Sequence, residues 1–373
     1  MKILRVTSDL YPYVLGGIGL HAHNLSIEQY KNGCNITVFT CISKKSDVLP
    51  LTVPYTILNF GKIIELCGNT VCFNMFRSLY HNRRNYDVID AHSHLFISTN
   101  LCALVRRLGS VPLVITNHGL RSQNVPKIFQ ELYLRTLGVW TFNSADKIIT
   151  FTEYERNELL KIGVDDKKIV IIPNAIDTDI FYPNPYIHDN FTVIWVGRLS
   201  GGKGLKYAIL GFEQYLINHP NSQMYIVGDG PYYHDAVNYV SKKGLDNKII
   251  FTGRVENQDM ISYYNRSDVY LMTSMSEGFP RTLLEAASCG LSVICTDIPQ
   301  LIPIVEKCGI VIPKKNIRAV SDTLNYLSSD VNQRKLFSQQ GRDYVGKYNS
   351  IKQMSHETEQ VYFKLIEENK YKI

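Results

Sequence analysis

The sequence predicts an α/β fold made of two successive halves, each a parallel sheet with helices on both faces. Three observations carry this. At 373 residues the chain is too long for one ordinary core, and two domains follow. Short runs rich in Val and Ile alternate with helical segments along the whole length. They fall at 3–8, 36–41, 87–91, 113–116, 148–152 and 169–172, and again at 193–197, 223–227, 249–252, 269–272, 292–296 and 309–312. Strands covered on both faces by helices read as such unbroken apolar runs. Between the two series lies an irregular, Pro- and Asx-rich connection from Pro173 to Pro185. Two series in succession give two Rossmann-like halves.

Composition is that of a soluble globular protein, 45% hydrophobic and 20% charged. No apolar run approaches the roughly 18 residues that a membrane span needs. The first residues, Met1 to Asp9, read as a buried strand and not as a signal peptide. The expected location is the cytoplasm, with peripheral attachment to the inner face of the membrane as a further option. That option comes from charge: residues 1–172 hold 19 Lys/Arg against 13 Asp/Glu, so the net charge of +6 lies wholly in the first half. A basic half can meet an anionic membrane or an anionic acceptor, and an ordinary solvated surface is the plain alternative. No nucleic-acid motif is present, so no nucleic-acid partner is expected. The eight cysteines form no C-x-x-C pair, and several sit in strand-like runs, so buried reduced thiols are expected. Cys67-x4-Cys72 lacks the His or Cys partners a metal site would need.

The motifs follow in chain order. Gly16-Gly-Ile-Gly-Leu-His21 comes after the first strand and opens a helix, where a Rossmann half places its ligand loop. A dinucleotide loop would want a third Gly at position 22, which is Ala, and an acid at the end of the next strand, which is Cys41. Asp87-Val-Ile-Asp-Ala-His-Ser-His94 ends another strand. His92-x-His94 has the look of a metal pair, yet the motif holds no third ligand, and an acceptor-side or structural role is expected. Thr116-Asn-His118-Gly ends the next strand. In the linker, Asp177-Thr-Asp179 is a D-x-D that belongs to the connection and is not read as a metal site.

In the second half, Val196-Gly-Arg-Leu-Ser-Gly-Gly-Lys-Gly204 lets backbone and the cations of Arg198 and Lys203 approach a phosphate. It is not a Walker loop, because Gly204 follows the Lys. Val227-Gly-Asp-Gly-Pro231 and Phe251-Thr-Gly-Arg-Val255 also follow strands at the ligand-binding edge. The stretch that organises the rest is Glu277-Gly-Phe-Pro-Arg-Thr-Leu-Leu-Glu285. Pro280 suits a first helical position. The amides of Arg281, Thr282 and Leu283 would then face an anion at the helix mouth. A diphosphate would sit on those amides, with Glu277 holding hydroxyls at one end and Glu285 at the other. A capped amphipathic helix with a solvated Glu at each end is the plain alternative.

Taken together, these motifs resemble, in order and over essentially the whole chain, those of the retaining glycosyltransferases of the GT-B class, family 4. Glu277–Glu285 matches the family's E-x7-E, and 197–204 matches G-R-L-x-x-x-K-G. Asn174, Asp177 and Phe181 match the linker. The resemblance implies GT-B architecture: two Rossmann-like domains facing each other across a cleft, 1–175 binding the acceptor and 176–349 the donor, with helix 350–373 crossing back to the first. Val361, Leu365 and Ile366 supply that helix's apolar face. It implies transfer from a nucleotide-diphosphate sugar, UDP or GDP, to a hydroxyl of a glycan, glycolipid or small molecule. No metal and no cofactor beyond the donor substrate is implied.

The resemblance also implies roles. His118, Arg198, Lys203 and Glu277 are catalytic, with His118 on the donor sugar. Gly17, Arg198, Lys203, Gly230, Val255, Gly278, Phe279, Thr282, Leu283 and Glu285 bind the donor, Val255 through its main chain to the base. The chain departs from the family where Asp90 replaces the first His of the H-x-H segment. It departs again where Ser292 replaces a Pro and Pro299-Gln300 replaces a glycine pair and the acid after it is missing. Two alternatives remain: a nucleotide-sugar epimerase of the same architecture, and a catalytically silent subunit that only binds the nucleotide sugar.

Overall fold

The computed structural model describes residues 1–12, 16–42, 52–61, 64–66, 69–109, 111–120, 127–184 and 190–370. Cys67 and Pro185 lie outside them. The chain forms two compact units, Met1–Asn174 with Ile351–Ile373, and Ala175–Ser350.

The first unit runs β1 (Lys2–Val6), α1 (Gly17–Lys31), β2 (Asn35–Thr40), β3 (Thr56–Asn59), β4 (Ile64–Leu66), β5 (Asn69–Val71), α2 (Phe73–Asn82), β6 (Val88–His92) and α3 (Ile97–Arg107). It continues with β7 (Leu113–Thr116), α4 (Lys127–Tyr133), a π-helical turn at Leu134–Gly138, α5 (Val139–Ser144), β8 (Lys147–Thr150), α6 (Glu153–Lys161) and β9 (Ile169–Ile171). Seven strands make a parallel sheet in the order β3-β2-β1-β6-β7-β8-β9. The order reverses between β1 and β6, and an open α/β sheet gathers ligands at the carboxyl ends of the strands beside such a reversal. The second unit runs β10 (Thr192–Val196), α7 (Leu205–Leu216), β11 (Gln223–Val227), α8 (Tyr233–Lys242), β12 (Ile249–Gly253), α9 (Met260–Asn265), β13 (Val269–Met272), α10 (Arg281–Ser288), β14 (Ser292–Thr296), α11 (Ile302–Cys308), β15 (Gly309–Ile312), α12 (Ile317–Ser329) and α13 (Val331–Tyr348). Its parallel sheet has the order β12-β11-β10-β13-β14-β15, reversing between β10 and β13.

All twelve expected strands are present. Three more were not legible. β3 is a four-residue edge strand with three exposed positions besides Ile57, so no apolar run marks it. β4 and β5 are three residues each and pair antiparallel with one another. The last helix, α14 (Ile351–Lys370), packs on α1 in the first unit. Its buried stripe is Ile351, Met354, Ser355, Thr358, Glu359, Tyr362 and Leu365, whereas Val361 and Ile366 are only partly covered. The stripe is half polar because Asn32 donates to Glu359 Oε1 (2.9 Å) and Ser355 Oγ (3.3 Å), which hid it from a reading based on apolar periodicity. The seven described cysteines are buried and unpaired. Burial pushes the thiols of Cys34, Cys102, Cys289 and Cys295 up, and those of Cys41 and Cys308 to about 12.

Candidate functional site

In the second unit three loops meet at the carboxyl edge of the sheet, beside the β10/β13 reversal. The Gly197–Gly204 loop is joined to the loop after β11 by backbone bonds from Gly197 N to Val227 O (3.0 Å) and Leu199 N to Asp229 O (2.9 Å). Met275 N donates to Gly202 O (2.8 Å), tying the loop after β13 to the same place. Thr273 Oγ1 donates to Gly204 O (3.0 Å) and accepts from Trp195 Nε1 (3.2 Å). Gly204 has φ +68, and a Cβ there would stand 2.0 Å from Thr273 O. Gly228 has φ +131, and its Cβ would stand 2.0 Å from Gly197 O. Only glycine fits both the left-handed backbone and the close approach. These glycines hold the loops in register.

Lys203 Nζ lies 2.6 Å from Glu277 Oε1, with 24% and 10% of the two side chains exposed. The loop lysine and the first glutamate of the E-x7-E, 74 residues apart in sequence, therefore share one point. Arg198 is exposed on the same loop. Gly230 lies on the adjoining loop, where its Cβ would meet Leu199 O at 2.5 Å. Val255 follows β12, half-buried against the core. The Gln300 side-chain amide donates to the backbone carbonyl of Glu277. Gln300 thus fastens the glutamate loop from a position where the family has glycine. A cavity of about 430 Å³ between α7 and α8 touches Gly201 and Gly204 but is lined by neither Lys203 nor Glu277.

Helix α10 begins at Arg281, with Pro280 as its N-cap at ψ 127. Pro280 therefore sits one residue earlier than the first helical position expected for it. Its extended ψ makes it the last residue outside the helix. Gly278, Phe279 and Thr282 are half-buried at this mouth, and Leu283 is buried. Thr282 Oγ1 shares a 2.8 Å hydrogen bond with Tyr270 OH. Glu285 is enclosed and not presented at the mouth. Its carboxylate accepts from Tyr264 OH (3.0 Å) and lies 3.7 Å from Arg281 Nε, both partners buried. Burial pushes the Glu285 carboxyl up and the Arg281 guanidinium down, and each opposes the shift of the other. Arg281 also donates to Ala175 O (2.7 Å).

In the first unit, Gly17 is the first residue of α1 after the N-cap Gly16, and a Cβ at Gly17 would meet nothing within 4 Å. His92 ends β6 and His118 follows β7, and their Nδ1 and Nε2 are 3.0 Å apart. Asp90 Oδ2 accepts from His92 Nε2 at 3.1 Å and from Arg5 Nε at 3.0 Å. The β1/β6 register sets Arg5 beside Asp90. The paired cation and imidazole hold the Asp90 carboxyl far below the usual carboxylate range despite complete burial. The departure from the family at Asp90 is thus matched by a buried arginine. His118 is held well below its ordinary value by burial and by His21 and His92, so it is neutral near pH 7. His94 turns away, to Asn117 Oδ1 (3.1 Å), and burial lowers it to about 4. Ser93 between them has φ +63, a left-handed kink that points the two rings to different places. The third neighbour of His92 is not His94 but His21, whose Nδ1 bonds Asn174 Oδ1 (3.0 Å). In the linker, Asp177 Oδ1 accepts from Asp179 N (3.0 Å), a turn bond, and Phe181 is buried.

Two family models match the chain back to back, Glycosyltransferase Family 4 over residues 15–180 and Glycosyl transferases group 1 over residues 178–344. The chain belongs to glycosyltransferase family 4. It is a glycosyltransferase of the GT-B fold. The gpi3 component of the phosphatidylinositol N-acetylglucosaminyltransferase of Schizosaccharomyces pombe is 26% identical over 99% of this chain and 82% of its own length. A human component of the enzyme with the same name is 23% identical over 81% of this chain and 64% of its own length. A UDP-Gal:alpha-D-GlcNAc-diphosphoundecaprenol alpha-1,3-galactosyltransferase of Escherichia coli is 27% identical over 62% of this chain and 65% of its own. Among solved structures, sucrose-phosphate synthase from Thermosynechococcus elongatus aligns with a TM-score of 0.81 at 19% identity, covering 98% of both chains. Anabaena HepE in complex with UDP and glucose aligns at 0.79 and 18%, covering 97% of this chain and 99% of that one. No helix among the described residues is long and apolar enough to cross a membrane.

Proposed function

We propose that this glycosyltransferase moves a sugar, with retention, from a UDP- or GDP-sugar to a hydroxyl of a lipid-linked acceptor. The observation that carries the reading is the Lys203–Glu277 contact beside the glycine-rich loop and the mouth of α10. A cation, a carboxylate and the first amides of a helix suit a diphosphate joined to a sugar. Arg198, Lys203 and the amides of Arg281, Thr282 and Leu283 stabilise the charge that grows on the leaving diphosphate. That work asks for no metal at the diphosphate. Glu277 takes hydroxyls of the transferred sugar. His118, neutral and with its one proton on Nε2 toward His92, offers Nδ1 as an acceptor to a hydroxyl of the substrate. The bond from the anomeric carbon to the phosphate oxygen breaks as the bond to the acceptor oxygen forms on the same face. The acceptor proton passes to the departing phosphate.

Two observations support a lipid-linked acceptor. The relatives carry phosphatidylinositol and diphosphoundecaprenol in their names. In the first unit, Ile128, Phe129 and Leu132 of α4 are 76%, 63% and 64% exposed, and Leu137 and Trp140 extend the patch into α5. A group of large apolar side chains on a half with a positive excess suits an anionic bilayer surface. The test is incubation with UDP- and GDP-sugars, each with soluble and lipid-linked acceptors, followed by determination of the anomeric configuration of the product. Transfer with an inverted anomer, or donor isomerisation without acceptor, refutes the reading; the second outcome is the epimerase.

A further inference from the structure

We propose that His21, His92 and His118 form a binding site for one divalent transition cation, zinc by the character of its ligands. One ring nitrogen from each lies within 4.8 Å of the other two. They come from α1, the end of β6 and the loop after β7, so the site stands at the chain reversal of the first sheet. Three imidazoles are a common set for zinc, with metal–nitrogen distances of about 2.0–2.1 Å. Nitrogens on one such ion stand about 3.3 Å apart. The His92–His118 pair, at 3.0 Å, is already there.

The outer partners are built as a metal site requires. Metal-bound histidines pass their second nitrogen to a carboxylate or carbonyl, which fixes ring and tautomer. His92 gives Nε2 to Asp90, itself locked by Arg5 and by Thr116 Oγ1 (3.3 Å). His21 has Asn174 Oδ1 on Nδ1. Phe151 packs against both the His21 and the His118 ring and covers one side. His118 alone of the three is only partly buried, so the ion can enter from its side. The strained Ser93 backbone is accounted for as well, since the kink separates His92 from His94. An ion on the His118 nitrogen that faces His92 moves the ring's proton to Nδ1, so the acceptor offered to the substrate is lost and the cation inhibits transfer; this consequence rests on the role proposed for His118 above.

The test uses full-length, untagged protein stripped with a chelator and titrated with Co²⁺, then with Zn²⁺. One equivalent of Co²⁺ should give visible absorption of a histidine-ligated ion, and Zn²⁺ should displace it. His118→Ala and His92→Gln should each weaken binding at least tenfold while circular dichroism stays that of the wild type. His118→Ala is the safer variant because the ring is partly exposed. No saturable binding, or wild-type affinity in both variants, overturns the site and leaves a hydrogen-bonded histidine chain. Stoichiometric binding with no loss of transfer keeps the site and removes only the inhibition.

Discussion

Replacing the two glutamates of the E-x7-E one at a time separates a charge that serves the ligand from one that also serves the fold. Glu285 is the carboxylate drawn against the buried Arg281, whose Nε and Nη2 have no hydrogen-bond acceptor among the described residues. Glu285→Gln keeps an acceptor for Tyr264 but leaves the guanidinium uncompensated. Breaking a buried pair from one side costs about 3–5 kcal/mol, and the retained tyrosine bond places this change near about 3. For a unit of this size each kcal/mol moves Tm by about 2–4 °C, so Tm should fall by about 6–12 °C. Glu277→Gln removes a partly exposed contact with Lys203, worth about 1 kcal/mol or less, and Tm should hardly move. Turnover should instead fall by about 10²–10³, the scale of one lost transition-state contact. Scanning calorimetry, titration with free nucleoside diphosphate and steady-state rates measure all three. The double variant Arg281→Met with Glu285→Leu should regain stability without regaining nucleotide affinity, since an apolar pair of similar size replaces the buried charges. Glu285→Gln melting within about 2 °C of wild type, less than 1 kcal/mol at this size, would refute the argument that its charge neutralises Arg281.

Three further outcomes are expected. Lys203→Ala should cost about 1.5–3 kcal/mol of nucleoside diphosphate binding, read by calorimetry, together with turnover. Gly204→Ala should lose nucleotide binding and destabilise the second unit by about 2 kcal/mol or more, because the left-handed backbone and the Thr273 carbonyl both oppose a Cβ; a denaturant melt checks it. Glu155 is buried at the start of α6, accepts from Phe151 N (2.8 Å), and is pushed up by burial to about 7. Its folded value lies above the unfolded one near 4.5, so the stability present below about pH 4.5 is lost as pH rises through about 7, on the order of 3 kcal/mol. Glu155→Gln should flatten the fall in Tm between about pH 5 and 8.

The sheet strands were legible because both sheets are parallel and covered, so nearly every strand is an unbroken apolar run. The glycine-rich loop of residues 197–204 was legible because glycine spacing and two cations are local. What stayed hidden is whatever the topology assembles. Glu285 reads as a second ligand arm from its spacing, but its burial depends on Tyr264 and on Arg281, which turns inward from the residue after Pro280. Gln300 reads as a departure from a glycine pair, and nothing in sequence says that its amide reaches the Glu277 carbonyl. The one signal that could have been used was paired: Asp90 standing where the family has His, and an arginine inside the first apolar strand.

That pairing bears on how the first unit is built. A fully buried Arg5 in β1 is costly unless its donors are satisfied, and they are: Asp90 takes Nε, Ser26 and Gln29 of α1 take the two terminal nitrogens at 2.5 and 2.7 Å. The same arginine therefore ties β1 to β6 and to the helix that carries His21. Through Asp90 it also fixes the tautomer of His92, because a carboxylate on Nε2 requires the proton there and leaves Nδ1 as an acceptor toward His118. His118 must then donate from Nε2 to make that bond. Substituting Asp90 with Asn would give His92 either an amide donor or an acceptor, and the fixed direction of the chain would be lost. The orientation of His118 is thus set through Asp90 and His92 by an arginine that never reaches the edge of the sheet.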